Sequence, residues 1–398
     1  MEKISRIEES SPHQDEVVVL GKFVDGLSLS IDGVISPSFV ETLNNTKERV
    51  RTLGREAPSL VIPGLPGGPL QPRYSSRGNY DLDFDNQCVY IAITQRPPCP
   101  ALVIQFKAHI LYIHTLEEIE TIVEDLARFI FEFEFKVLVS RFDIAVDFQG
   151  GERWEPPTAE MLENDIISRV DEPHVVHRNV EGKTQPGCMT FGKPGCPLQV
   201  QIYDKTEELK KSGKQWMYDV WREGEQFTEG LEVWRVESRF FRKKLRELGV
   251  NTISDLRHRM GNLMQAVVGN DKGAHSWIRV ASPDTRGRRQ DRRPAGPWWE
   301  EIRKAFLDGT PPVLPLQKPP NLEPNIKHTE NMLFGYLDRW MAQGGGEGLN
   351  PETPLEEFLD LLEERYSNRL QFKGTSLPRA IRAKRADMGL PSLNLMAP

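Results

Sequence analysis

Residues 140–151 read SRFDIAVDFQGG, and their alternation of apolar and polar side chains constrains this chain more than any other feature. Successive side chains of a β-strand point to opposite faces. Phe142, Ile144, Val146 and Phe148 then share a face and enter a core, while Arg141, Asp143 and Asp147 share the other. Two further segments repeat the pattern. In PLQVQIYDK, Leu198, Val200 and Ile202 alternate with Gln199, Gln201 and Tyr203. In LEVWRVESRF, Trp234, Val236 and Phe240 oppose Val233, Arg235, Glu237 and Arg239. If these strands pair in one sheet, Asp143, Asp147, Tyr203, Arg235 and Glu237 converge on one surface. Carboxylates without lysines on the same rungs repel one another unless a cation sits among them. Hard oxygen ligands of this kind suit Mg²⁺ or Mn²⁺. The pattern therefore predicts a metal set of Asp143, Asp147 and Glu237.

The segments around these strands predict an α+β protein. Its catalytic sheet is mainly antiparallel with flanking helices, preceded by a smaller N-terminal α/β layer and followed by a helical C-terminal appendage. Residues 1–16 read as a flexible tail, and 17–138 as the N-terminal layer. Within that layer EVVVLGKFVDGLSLSIDG reads as strands joined at a Gly turn, and SPSFVETLNNTKERVRTLG as a helix opened by Ser-Pro and closed by Gly54. ALVIQFKAHILYIH reads as a strand, and TLEEIETIVEDLARFIFEFEF as a helix capped by Thr115. The catalytic segment spans 139–280. It includes a helix in PTAEMLENDIISRV and a strand that turns helical near Phe241. A basic, Pro-rich linker covers 281–325, and residues 326–398 hold two amphipathic helices and the basic LPRAIRAKRADMG.

Composition narrows the function classes. The chain has 398 residues and a formal net charge of −7, which argues against a protein coated in positive charge but not against clustered basic patches. The polar N-terminus carries no secretory pattern, and no apolar run is long enough to span a bilayer, so a cytoplasmic protein without membrane contact is expected. Cys88, Cys99, Cys188 and Cys196 lack zinc spacing and read as reduced thiols. His174 and His177 in HVVH have the wrong spacing for a His-hydrophobic-His metal motif. His109 and His114 would point to opposite faces of a strand. GKPGC lacks the Gly-Lys-Ser/Thr ending of a phosphate loop, so ATP hydrolysis is not expected.

SRFDIAVDF, then TFGKPGCPLQVQIYDKTEE, then VWRVESRF resemble, in this order, the Rep_trans family of replication initiation factors. The similarity extends over roughly residues 20–305, and IYDKTE followed by VWRVE is its most specific part. The resemblance implies a nicking and joining enzyme that starts rolling-circle replication with a tyrosine nucleophile and a divalent metal. Its partners would be origin DNA, which the resemblance implies the 17–138 layer also binds, a helicase and a polymerase, with a homodimer as one expected assembly. Tyr203 is the expected nucleophile because it lies on the polar phase of its strand. A transition state that gathers charge on phosphate oxygens calls for cations, which Lys205 and Arg235 supply. Arg286, Arg288, Arg289, Arg292 and Arg293, followed by Trp298, are expected to grip phosphates and stack on an unwound base. The alternative is a DNA-binding regulator on the same scaffold without catalysis.

Overall fold

The alternating segments lie within ten strands that form one sheet. In a computed structural model the described residues are 17–315, apart from 75–78, 152–153, 171–172, 181–182, 270–275 and 290–291. Beyond 315 they are 333, 355–372 and 376–381. The strands are β1 (Val18–Asp32), β2 (Gln71–Tyr74), β3 (Leu82–Asp85), β4 (Val89–Ile93), β5 (Leu102–Phe106) and β6 (Lys136–Gln149). They continue with β7 (Ile166–Ser168), β8 (His174–Val180), β9 (Lys183–Phe191), β10 (Leu198–Asp204), β11 (Val233–Phe241) and β12 (Ile278–Val280). The large sheet runs β2-β3-β4-β5-β1-β6-β11-β10-β9-β8, and β7 pairs separately with β12. Its neighbouring strands are antiparallel throughout. The expected α+β class with a mainly antiparallel sheet is therefore observed.

The expected boundary between residues 138 and 139 falls inside β6, and the sheet continues across it through β1 and β5. Two sequence expectations are corrected here. The segment around Gly21 and Gly26 does not turn: it is the single strand β1, with register shifts at Val19/Gly21 and Val24/Gly26. Glycine at 26 serves close approach, since a Cβ there would lie 2.7 Å from Oδ2 of Asp143. Asp25 is the extra residue of that bulge, which re-aims a side chain locally. Likewise ALVIQFKAHILYIH is not one strand, because after Phe106 the chain enters α2 (Ala108–Ile113), burying Ala108, Ile110 and Leu111.

Helix α1 (Pro37–Leu53) starts at the Ser36 cap and ends at Gly54, and α3 (Leu116–Ile130) carries a capping box from Thr115 and Glu118, both as expected. Further helices are α4 (Ala159–Asn164), α5 (Lys205–Ser212), α6 (Trp216–Glu223), α7 (Arg242–Glu247), α8 (Ile253–His258), α9 (Met260–Val268) and α10 (Pro297–Leu307). The apolar phases of β6, β10 and β11 are buried together with Leu245, Leu256, Leu263, Val267, Trp299 and Phe306 from the last four. This burial is the main force holding the sheet against its helices.

Residues 1–315 and 316–398 are separate compact units. In the second, α11 (Leu355–Phe372) is described. The tail 1–16, the end of the Pro-rich linker and most of the helix expected around TENMLFGYLDRWMAQ lie outside the described residues. Among the described residues no helix is long and apolar enough to cross a membrane.

Candidate active site

The register brings the predicted residues onto one face. Asp147 pairs with Arg235 and Asp143 with Arg239 across β6 and β11, while Glu237 pairs with Gln201 and Arg235 with Tyr203 across β11 and β10. Helix α6 then divides that face in two.

At one end α6 lies over the sheet. Met217 and Trp221 are buried, and Trp221 Nε1 donates to Asp147 Oδ2 at 2.9 Å. Arg235 is fully buried, and its guanidinium is shared among Asp147 (2.8 Å from Nη2), Asp25 and the Tyr112 hydroxyl (3.0 Å). The expectation that Arg235 clamps a phosphate is corrected by this arrangement, because its donors already face buried acceptors. The same holds for Asp147 as a metal ligand: its side chain is fully buried and both oxygens are engaged.

The other end stays open. There a cavity of about 340 Å³ is lined by Tyr203, Lys205, Glu237, Arg239, Lys214 and Arg178, among others. Tyr203 donates its phenolic hydrogen to Glu237 Oε2 at 2.9 Å, and Arg239 Nε donates to Oε1 at 2.6 Å. Burial pushes the Tyr203 hydroxyl well above its ordinary range, and the Glu237 charge adds to this. Lys205 sits 5.6 Å from the Tyr203 ring centroid and pairs with Glu208 at 2.6 Å. Burial first, then the Arg235 charge, lower its ammonium, while Asp25 and Glu208 oppose them. Asp204 caps α5 by accepting from the Glu207 amide at 3.0 Å, and it also takes a hydrogen bond from Arg178. That cap explains why IYDK ends a strand and starts a helix within one residue, fixing Lys205 beside Tyr203.

The expected metal set does not fit this geometry. Arg141 holds Asp143 at 2.9 and 2.6 Å, and Glu237 is shared by Tyr203 and Arg239, so a divalent ion would have to displace both arginines. Among the described residues no three His, Cys, Asp or Glu side chains are grouped to hold a metal. The cations that balance these carboxylates are the arginines on the same rungs. Burial nevertheless pushes the Asp143 carboxyl up to about 7; the Arg141 hydrogen bond lowers it and the Glu237 charge raises it.

The basic loop is only partly available. Arg286 and Arg293 both grip the buried Asp165, at 2.6 and 2.7 Å, and hold its carboxylate below the usual range despite its burial. Trp298 stacks on Phe148 with centroids 5.8 Å apart, so Arg286, Arg293 and Trp298 fasten the loop to the fold instead of awaiting a nucleotide. Arg288, Arg289 and Arg292 are exposed. Of the other tyrosines, Tyr218 lies on α6 against Trp221, and Tyr90 lies on β4 near Arg73. The sequence pattern did not single out Asp25, Arg178 or Lys214. Gly26 was the one signal for Asp25, as a residue small enough to admit Asp143.

No family model matches the chain, and no curated protein matches it. A solved structure of a rolling circle replication initiator protein from Geobacillus stearothermophilus matches at 13% identity with a TM-score of 0.44. That match covers 72% of this chain and 96% of the other.

Proposed function

We propose that this protein is a replication initiator that nicks origin DNA through Tyr203. One observation carries the reading. A tyrosine bonded to a carboxylate stands in a cavity also lined by Lys205, Arg239 and Lys214, cations that can meet a phosphodiester among carboxylates that partly balance them. The resemblance of the three strand motifs to replication initiation factors supports the same reading.

In this mechanism the Tyr203 oxygen attacks phosphorus while its proton passes to Glu237. The bond between phosphorus and the 3′ oxygen breaks, leaving a 5′-phosphotyrosine. Lys205, 5.6 Å from the Tyr203 ring centroid, would protonate the departing 3′ oxygen, and reversal of these transfers rejoins the strand. Arg239 and Lys214 would hold the phosphate oxygens. The phosphotyrosyl bond keeps the energy of the broken linkage, so joining needs no ATP. The freed 3′-hydroxyl is a primer for a polymerase, and strand separation falls to a partner helicase.

The test incubates full-length protein with a supercoiled plasmid carrying its origin in Mg²⁺ or Mn²⁺. Open circles bearing covalently attached protein are expected. Binding without relaxation would overturn the enzyme and leave a DNA-binding regulator. The exposed part of the basic loop makes a separate prediction. Replacing Arg288, Arg289 and Arg292 by serine should flatten the dependence of log affinity on log salt by about one unit for each phosphate no longer neutralised. An unchanged slope would make that loop a solvated connection.

A further inference from the structure

A second cavity, also of about 340 Å³, adjoins the first, and Asp25, Lys214, Glu237 and Arg239 line both. Its size is at the lower end for ligand-binding cavities, about 300–1,000 Å³. The nicking chemistry uses Glu237, Arg239 and Lys214 of this lining but none of its remaining walls. Beside the charged Lys107, Arg141 and Asp143, these bring Trp216, His109, Gln105 and Gln87 together.

Trp216 opens α6 and is half-buried, and His109 and Tyr112 brace it edge-on at 5.2 and 5.1 Å between ring centroids. A ring held from two sides is a rigid platform and loses little freedom when something stacks on it. Gln105 is half-buried on β5 and Gln87 is exposed at the β3–β4 turn. Among the described residues neither amide has a hydrogen-bond partner. Both amides reach solvent, and their unused donors and acceptors are open to the edge of a ligand.

Charge gives the connection between the cavities. Near the cavities Asp143 pairs with Arg141, Glu237 with Arg239 and Glu208 with Lys205, while Arg235 serves Asp25 and Asp147 together. Lys214 makes no ion pair within 4 Å among the described residues, and it lines both cavities. A half-buried cation that faces two adjoining cavities without a close ion pair suits an anion that spans them, although Asp25 and Glu208 also feel its charge.

We propose that the second cavity is a nucleobase subsite. The base next to the phosphate attacked by Tyr203 unstacks, lies against Trp216 and presents its edge to the amides of Gln105 and Gln87. Lys214 holds the phosphate between the two cavities. An aromatic face accepts any base, whereas paired amides discriminate between edges, so the subsite would both seat the strand and read one position. This rests on the nicking reading only for which phosphate is meant.

The experiment measures binding, not cleavage. Full-length Tyr203→Phe protein is titrated by fluorescence anisotropy against labelled single-stranded dodecamers of dA, dC or dT, and against a dodecamer of abasic deoxyribose phosphate. At least one base-bearing oligomer should bind about ten-fold tighter than the abasic one, given what stacking contributes per base. Trp216→Ala should erase that difference without weakening the abasic complex, and Trp216→Phe should keep most of it. Gln105→Leu should change the ranking of the three bases. Lys214→Gln should weaken all four oligomers alike. Equal binding of abasic and base-bearing oligomers, or a full difference in Trp216→Ala, overturns the subsite. Equal losses in Trp216→Ala and Trp216→Phe do so as well. Base dependence in this variant beside a native protein that forms no adduct would spare the subsite and sink the nicking; adduct on the native protein without base dependence in the variant would do the reverse.

Discussion

Tyr203→Phe is expected to fold, to bind origin DNA as the native protein does, and to form no covalent adduct. The substitution removes one oxygen and keeps the ring that Lys205 faces at 5.6 Å. Glu237 loses the hydrogen bond from Tyr203 but keeps the one from Arg239 at 2.6 Å, so its charge is not stranded. Among the described residues lining the open cavity Tyr203 is the only tyrosine. Tyr112 spends its hydroxyl on Arg235, and Tyr218 lies against Trp221 on α6, away from the open half of the sheet. The measurement is transfer of label from an origin oligonucleotide to denatured protein. Wild-type labelling of Tyr203→Phe would move the nucleophile elsewhere, and loss in Tyr218→Phe instead would name that residue. Glu237→Gln gives a graded companion result. It keeps an oxygen for the phenol to bond but removes the base, so adduct formation should slow by about 10²–10⁴-fold. An unaffected rate would mean that Glu237 only orients the ring.

How far these sites were legible depends on what local pattern can encode. Period-two alternation determines which side chains share a face, and Asp143, Glu237 and Tyr203 do share one. Helix punctuation was equally local: Ser36, Thr115 and Gly54 act within one turn of the residues they cap. What alternation cannot encode is which part of a face another element will cover. Met217 and Trp221 arrive from a helix outside the three alternating strands, and they turn Asp147 and Arg235 from surface groups into interior ones. The same limit applied to the arginine run. Spacing shows charges close together, but only the fold shows that Asp165 waits for two of them. The bulge at Asp25 is a third case, since a one-residue insertion leaves the alternation nearly intact while changing where a carboxylate points.

Asp147→Ala is expected to lower the stability of the fold by about 3–5 kcal/mol, the cost of breaking a buried ion pair from one side. Arg235 would keep its full burial and lose two hydrogen bonds at once, at 2.5 and 2.8 Å. Asp25 and Tyr112 would still hold part of the guanidinium, which places the expectation toward the lower end of that range. The double variant Asp147→Leu, Arg235→Met tests the cause. It removes the charges of that pair and fills similar volume with apolar groups but leaves Asp25 to re-pair with Lys205 or Lys214, so part of the loss should return, because replacing a buried pair is often neutral or better. Activity should not return with it. Arg235 also anchors Asp25, whose carboxylate it holds below the usual range against the opposing effect of burial, together with Lys205 and Lys214. Without Arg235, Asp25 is free to capture Lys205 or Lys214 and draw them from the phosphate. Urea midpoints and adduct yields measured on the same three proteins separate the two effects. If Asp147→Ala unfolds at the wild-type midpoint yet forms no adduct, Asp147 acts on the reacting DNA, and the buried pair is not what holds this end of the sheet. If the double variant stays as unstable as the single one, the shape of the packing against Trp221, and not charge pairing, is what the fold requires at that position.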